Sequence, residues 1–92
     1  MKSFYKGSAV HFAVTIYDVN SALTNPQSLS GVLYDAASSI VGTGALTKSS
    51  TGNFYIVMQS SPSISLGVAE LELTAYNGQN TYVNRATQVK FI

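Results

Sequence analysis

Hydrophobic and polar residues alternate with a period of two along most of this chain. Val10, Phe12, Val14 and Ile16 fall on one side of an extended segment, and His11, Ala13, Thr15 and Tyr17 on the other. Such alternation marks a strand with one face buried. Phe54, Ile56 and Met58 repeat the pattern. So does the longer stretch from Gly67 to Tyr76, where Ala69, Leu71, Leu73 and Ala75 alternate with Glu70, Glu72 and Thr74. Val32 to Ala36 reads as a strand with Val32, Tyr34 and Ala36 on one side. Ile40 to Leu46 reads as another, and its Gly42 and Gly44 point to a bulge or a sheet edge. Tyr82-Val83 leading to Gln88–Ile92, and a short Phe4-Tyr5, complete the set.

Turn residues separate these segments. Asp18-Val19-Asn20-Ser21, Asn25-Pro26, Ser38-Ser39, Lys48 to Gly52 and Ser60 to Ser63 all read as breaks. Asn77-Gly78 is the strongest hairpin signal, because both residues tolerate the positive φ that a type I′ turn requires. No segment carries a helical period. About seven short strands with a turn every ~8–15 residues predict an all-β chain. The expected fold is an immunoglobulin-like antiparallel two-sheet sandwich, with a small barrel as the alternative. No linker or internal repeat divides the chain, so residues 1–92 are read as one domain. With no cysteine and no tryptophan, that sandwich has neither a disulfide nor a buried indole.

The charge inventory narrows the function. Five basic and four acidic side chains and one histidine are all the chain has. The cations Lys2, Lys6, Lys48, Arg85 and Lys90 are scattered, whereas phosphate binding needs a clustered basic face. Nucleic acid is therefore not an expected partner. No amphipathic helical run points to a membrane surface, and none is long enough to span one. Lys2 and Lys6 precede the apolar stretch Ala9 to Val19, in the manner of an export signal. His11, Thr15 and Asp18 interrupt that stretch, however, and it alternates like a strand, so no signal peptide is expected.

Candidate chemistry is sparse. Glu70 and Glu72 lie two apart on one strand face, roughly 7 Å from each other. Their alternation with Leu71 and Leu73 reads as a solvated face rather than a catalytic pair. Asp18-x-Asn20 has the start of a calcium loop, but no glycine or closing glutamate follows at the required positions. It reads as a turn. His11 has no thiol, serine relay or metal partner in sequence. The serines come in pairs at turns, with no Gly-x-Ser-x-Gly elbow. No catalytic residue, metal site or cofactor is expected, and the chain is read as a non-enzyme. The tyrosines stand out instead. Tyr5, Tyr17, Tyr55, Tyr76 and Tyr82 are candidate interaction residues, since exposed Tyr beside Ser, Thr and Asn suits protein contact or sugar stacking. The competing reading is that some of them close the ends of the sandwich or form a tyrosine corner.

The run from Tyr5 to Asp18, Tyr5-Lys6-Gly7-Ser8 leading into the alternating strand, resembles the opening of bacterial and phage Ig-like domains. Asn25-Pro26 resembles the loop that follows. Thr51-Gly52-Asn53-Phe54-Tyr55 is similar to their Gly-x-aromatic strand start, and Gly67 to Leu71 to their penultimate strand. The turn after Asp18 departs from that pattern, reading Val19-Asn20-Ser21 where a glycine belongs. The resemblance implies a small virion structural protein: a capsid decoration, head–tail completion or tail accessory protein. Its expected partners are other virion proteins and copies of itself, in a homo-oligomer or on a lattice, assembled in the host cytoplasm. The terminal segments Met1 to Lys6 and Gln88 to Ile92 are candidates for strand addition to a neighbour. The alternative is a cell-surface adhesion or carbohydrate-binding Ig-like module with tyrosines as stacking platforms.

Overall fold

A computed structural model describes residues 1–92, Ala86 through its backbone alone. The chain is all-β and forms two sheets. In order the strands are β1 (Lys2–Phe4), β2 (Ala9–Thr15), β3 (Ser28–Tyr34), β4 (Ile40–Ala45), β5 (Thr47–Ser50), β6 (Asn53–Gln59), β7 (Gly67–Tyr76) and β8 (Thr81–Phe91). The larger sheet runs β1-β8-β7-β3-β4 and the smaller β2-β6-β5. All strand pairs are antiparallel except β1 with β8, which is parallel.

Period-two alternation explains why the sheets stack. Val10, Phe12, Ile56 and Met58 project from the small sheet onto Leu33, Ala69, Leu71, Val89 and Phe91 of the large one. These side chains form one apolar cluster, with Val10, Leu33, Ala69 and Leu71 fully buried. Burial of apolar area on this scale is the main favourable term holding the sheets together. Ile64, in the loop before β7, joins the same core.

Three local expectations are corrected. The run Lys48 to Gly52 is not wholly a turn: Thr47–Ser50 is an eighth strand, exposed at every position. With no buried face it has no apolar alternation to betray it. The third strand begins at Ser28, four residues before the expected Val32, and ends at Tyr34. It buries Leu29 and Leu33 and turns Val32 and Tyr34 outward. The Asn77-Gly78 hairpin exists, but as a four-residue connection between Tyr76 and Thr81. Only Gly78 takes positive φ there, so it is not a type I′ turn. The Asn77 side chain builds the loop instead, its Oδ1 accepting from the N–H groups of Gln79 (2.9 Å) and Asn80 (2.7 Å).

Two other turns share one construction. Asp18 Oδ1 accepts from the N–H of Asn20 and Ala22, and Asp35 Oδ1 from the N–H of Ala37 and Ser39. In each, the residue three beyond the Asp (Ser21, Ser38) takes positive φ. The aspartate therefore satisfies backbone donors that the turn leaves without strand partners.

Candidate functional site

The two sides of the sandwich are finished differently. On the β4/β5 side the chain crosses directly from the large sheet to the small one through Leu46, which packs partly buried against the core. Edge strand β5 carries Lys48 and a register shift beside it; β4 has a shift at its Tyr34 end. Charges and irregularities of this kind blunt an edge against further pairing.

The β2/β8 side is open. β1 covers the edge of β8 only from Val89 to Phe91, leaving the stretch from Thr81 to Gln88 beyond it. β2 ends the small sheet and pairs on one side alone, with β6. Between these edges runs a groove of about 790 Å³. Its floor is core: Val14, Ile16, Leu29 and Leu73 line it. This is why Val14 and Ile16 stay only half-buried, although they continue the face that buries Val10 and Phe12 completely. A smaller cleft continues the seam past Lys2, His11 and Gln88.

The five candidate tyrosines are all exposed, but the structure does not gather them. Tyr17 and Tyr82 line the same groove, Tyr17 just beyond β2 and Tyr82 on β8. Tyr5 lies at the far end of the seam, in the turn after β1, and is 74% exposed. Tyr55 is on the outer face of the small sheet, where its ring stacks on His11 with centroids 5.5 Å apart. Tyr76 ends β7 beside the hairpin, its carbonyl accepting from the Gln27 N–H. His11 is thus an exposed strand residue whose diagonal cross-strand neighbour is Tyr55, as the pairing of Ala13 with Tyr55 requires.

Glu70, Asp18 and Asp35 are committed elsewhere. Glu70 Oε2 lies 3.0 Å from Arg85 Nε, and the Arg85 guanidinium sits 4.1 Å over the Tyr34 ring. This Glu70–Arg85–Tyr34 chain ties β7, β8 and β3 together on the outer face of the large sheet. Sequence reading missed it because a bulge intervenes. Leu71 faces Thr87 and Leu73 faces Asn84, so β8 holds one more residue than β7 in that interval. That shift brings Arg85 toward Glu70, a partnership no simple alternation reveals. Asp18 Oδ1 is taken by the two backbone donors of its turn. Among the described residues no three His, Cys, Asp or Glu side chains cluster as metal ligands, and no helix is long and apolar enough to cross a membrane.

Ser60 has an unforeseen structural role. It is buried, and its Oγ donates to the Ser8 carbonyl at 2.6 Å, fixing the entry to β2. Nothing in the Ser60-Ser61 pair distinguishes it by sequence.

No protein-family model matches the chain, and no curated protein matches it.

Proposed function

We propose that this chain is a non-enzymatic immunoglobulin-like sandwich that acts as a virion structural protein. It decorates a capsid or serves as a head or tail accessory, working in many copies through protein–protein contacts. The strand orders β1-β8-β7-β3-β4 and β2-β6-β5 support the immunoglobulin-like reading, with β1 parallel to the last strand at one edge. The observation that carries the contact reading is the open seam: strand edges flanking an apolar groove, on a surface with little charge to repel a neighbour.

Both terminal segments expected as donors are engaged within the chain. β1 pairs with β8, and the end of β8 lies between β1 and β7. In this reading the chain accepts contacts along its seam rather than donating a free terminus. Immunogold electron microscopy of virus particles purified from the source culture, with an antibody against this chain, is expected to label capsids or tails at many sites per particle. Particles that carry no label overturn the assignment.

A second reading, a carbohydrate-binding or adhesion module, has one observation in its favour: Tyr17 and Tyr82 share the groove with Asp18, Asn77 and Asn84. Aromatic faces beside amide and carboxylate groups suit a sugar. This reading expects binding on a glycan array that Tyr82→Ala abolishes. An array with no signal removes it.

A further inference from the structure

We infer that Asn77 is a site of spontaneous covalent conversion. The Gly78 backbone nitrogen closes on the Asn77 side chain to form a succinimide, which water opens to aspartate and isoaspartate. The inference concerns the hairpin between β7 and β8 and does not rest on the contact reading above.

The reaction asks three things of an asparagine. The nitrogen of the next residue must be free to attack, the side-chain carbonyl must be polarised, and the amide nitrogen must be free to leave. The fold sorts the six asparagines by these needs. Asn25 precedes Pro26, whose nitrogen has no proton to lose. Asn20 precedes Ser21, whose N–H donates to the Asp18 carbonyl at 3.0 Å. Asn53 begins β6, and its Nδ2 donates to Ser50 Oγ at 2.9 Å and to the Thr51 carbonyl at 3.2 Å. Asn84 lies inside β8, opposite Leu73. Asn80 precedes Thr81, which is β-branched and paired with Tyr76.

Asn77 meets all three. Gly78 is exposed, and its N–H has no hydrogen-bond partner among the described residues. It has no side chain to hinder ring closure, and its φ of +99° favours glycine there. Asn77 Oδ1 accepts from the N–H of Gln79 at 2.9 Å and of Asn80 at 2.7 Å. As the nitrogen attacks Cγ, negative charge develops on that oxygen. The loop therefore holds two backbone donors where the charge will sit, as an oxyanion hole does. Both bonds fall on the oxygen, and Nδ2 has no partner among the described residues.

The step balances with water alone. The Gly78 nitrogen gives its proton to solvent and bonds to Asn77 Cγ. The Cγ–Nδ2 bond breaks, and ammonia leaves with a proton taken from solvent. Water then adds to one of the two ring carbonyls. Opening at the side-chain carbonyl leaves aspartate. Opening at the main-chain carbonyl leaves isoaspartate, with the chain routed through Cβ and Cγ. Nothing is oxidised or reduced. Asn77 lines the groove, where Asp18 is the one charged residue among the described lining. Either product adds a second carboxylate there. Isoaspartate also lengthens the main chain by a methylene within the connection between Tyr76 and Thr81.

The purified full chain is incubated across a mildly alkaline pH series and mapped by peptide mass spectrometry. The amide-to-acid mass gain is expected at Asn77 before any other asparagine. Its rate should rise with pH, because the Gly78 nitrogen must lose its proton. Isoaspartyl methyltransferase should label the product. Gly78→Ala, at an exposed position, should slow conversion about tenfold. An unchanged Asn77, or earlier conversion at another asparagine, overturns the inference. So does a Gly78→Ala chain that converts at the original rate. A product of aspartate alone means direct hydrolysis and overturns the ring-closing step. The same incubation in urea tests the loop. A native rate more than about tenfold below the unfolded rate means that the loop protects Asn77, and overturns the role given to its two N–H donors.

Discussion

Phe91→Ala is expected to cost about 3–5 kcal/mol of folding stability. Thermal unfolding of the variant should fall by on the order of 20 °C. Phe91 is 1% exposed and among the largest fully buried side chains in the chain. It stands on β8 between Phe4 of β1 and Gly67 of β7, with its ring in the inter-sheet core. Removing the ring leaves a cavity that two hydrogen-bonded sheets cannot collapse to fill. The loss is large against a total of about 5–15 kcal/mol for a typical domain. β1 should be affected most. It is three residues long, holds to β8 at Lys2, Ser3 and Phe4, and is closed off by the Ile92 N–H donating to the Phe4 carbonyl. Calorimetry gives the stability change, and hydrogen exchange at residues 2–4 gives the local one. Phe91→Leu, which keeps much of the apolar volume, should recover over half the loss. A fall of less than ~5 °C for the alanine variant would mean that β8 repacks and that Phe91 is not the pillar its burial implies.

How much of this core was legible depends on the strand. β6 buries every second residue, and β2 and β7 do so over part of their length, so their inward faces follow from alternation alone. β3 was harder. Its inward residues are Leu29 and Leu33, separated by the buried Gly31, and a glycine leaves a gap in the apolar rhythm. Val32 and Tyr34, both strong strand formers, drew the eye to the wrong face. β5 has no buried residue and was illegible by pattern. Its position follows from the short crossover at Leu46, which delivers the chain next to β6.

The candidate site was visible in its parts and not in its assembly. Exposed tyrosines could be proposed from phase and composition. Their grouping could not, because Tyr17 and Tyr82 line one groove from different strands' ends and are 65 positions apart in the numbering. The open seam is a property of strand order. It exists because β1 is only three residues long and joins the large sheet beside β8, leaving β2 uncovered. Chain position alone cannot say which sheet a first strand will join. The Asp18 turn was legible from its aspartate, whereas Asp35 fell inside the expected strand Val32 to Ala36 and only Ser38-Ser39 marked the break; the shared positive φ at Ser21 and Ser38 did not show, since serine rarely adopts it.

Gly52→Ala should cost about 2–4 kcal/mol, and its effect should reach the groove as well as the core. Gly52 is buried at the β5–β6 turn with φ +75°, a conformation that disfavours any L side chain. An added Cβ would come 2.8 Å from Leu23 Cβ and 3.0 Å from the Ile16 carbonyl oxygen, distances real Cβ atoms do not tolerate without movement. The backbone cannot easily step aside. Gly52 N–H donates to Asn25 Oδ1 at 2.9 Å, and the Gly52 carbonyl accepts from Ile16 N–H at 2.7 Å. These two bonds hold the Asn25-Pro26 loop and the end of β2 against the small sheet. Pushing Ile16 and Leu23 away therefore displaces the wall that carries Tyr17 and Asp18, since Tyr17 bridges to Leu23. Gly78→Ala separates the two contributions. Gly78 also has positive φ (+99°), but it is exposed, and its added Cβ would meet only the movable Gln27 Oε1 at 3.0 Å. It should cost about 1 kcal/mol. Chemical denaturation of both variants measures the difference, and the Tyr17 and Thr24 amide resonances should shift in Gly52→Ala and stay in place in Gly78→Ala. Equal losses in the two would mean that backbone conformation alone sets the cost. The contact of Gly52 with Leu23 and Ile16 would then contribute nothing to the shape of the groove.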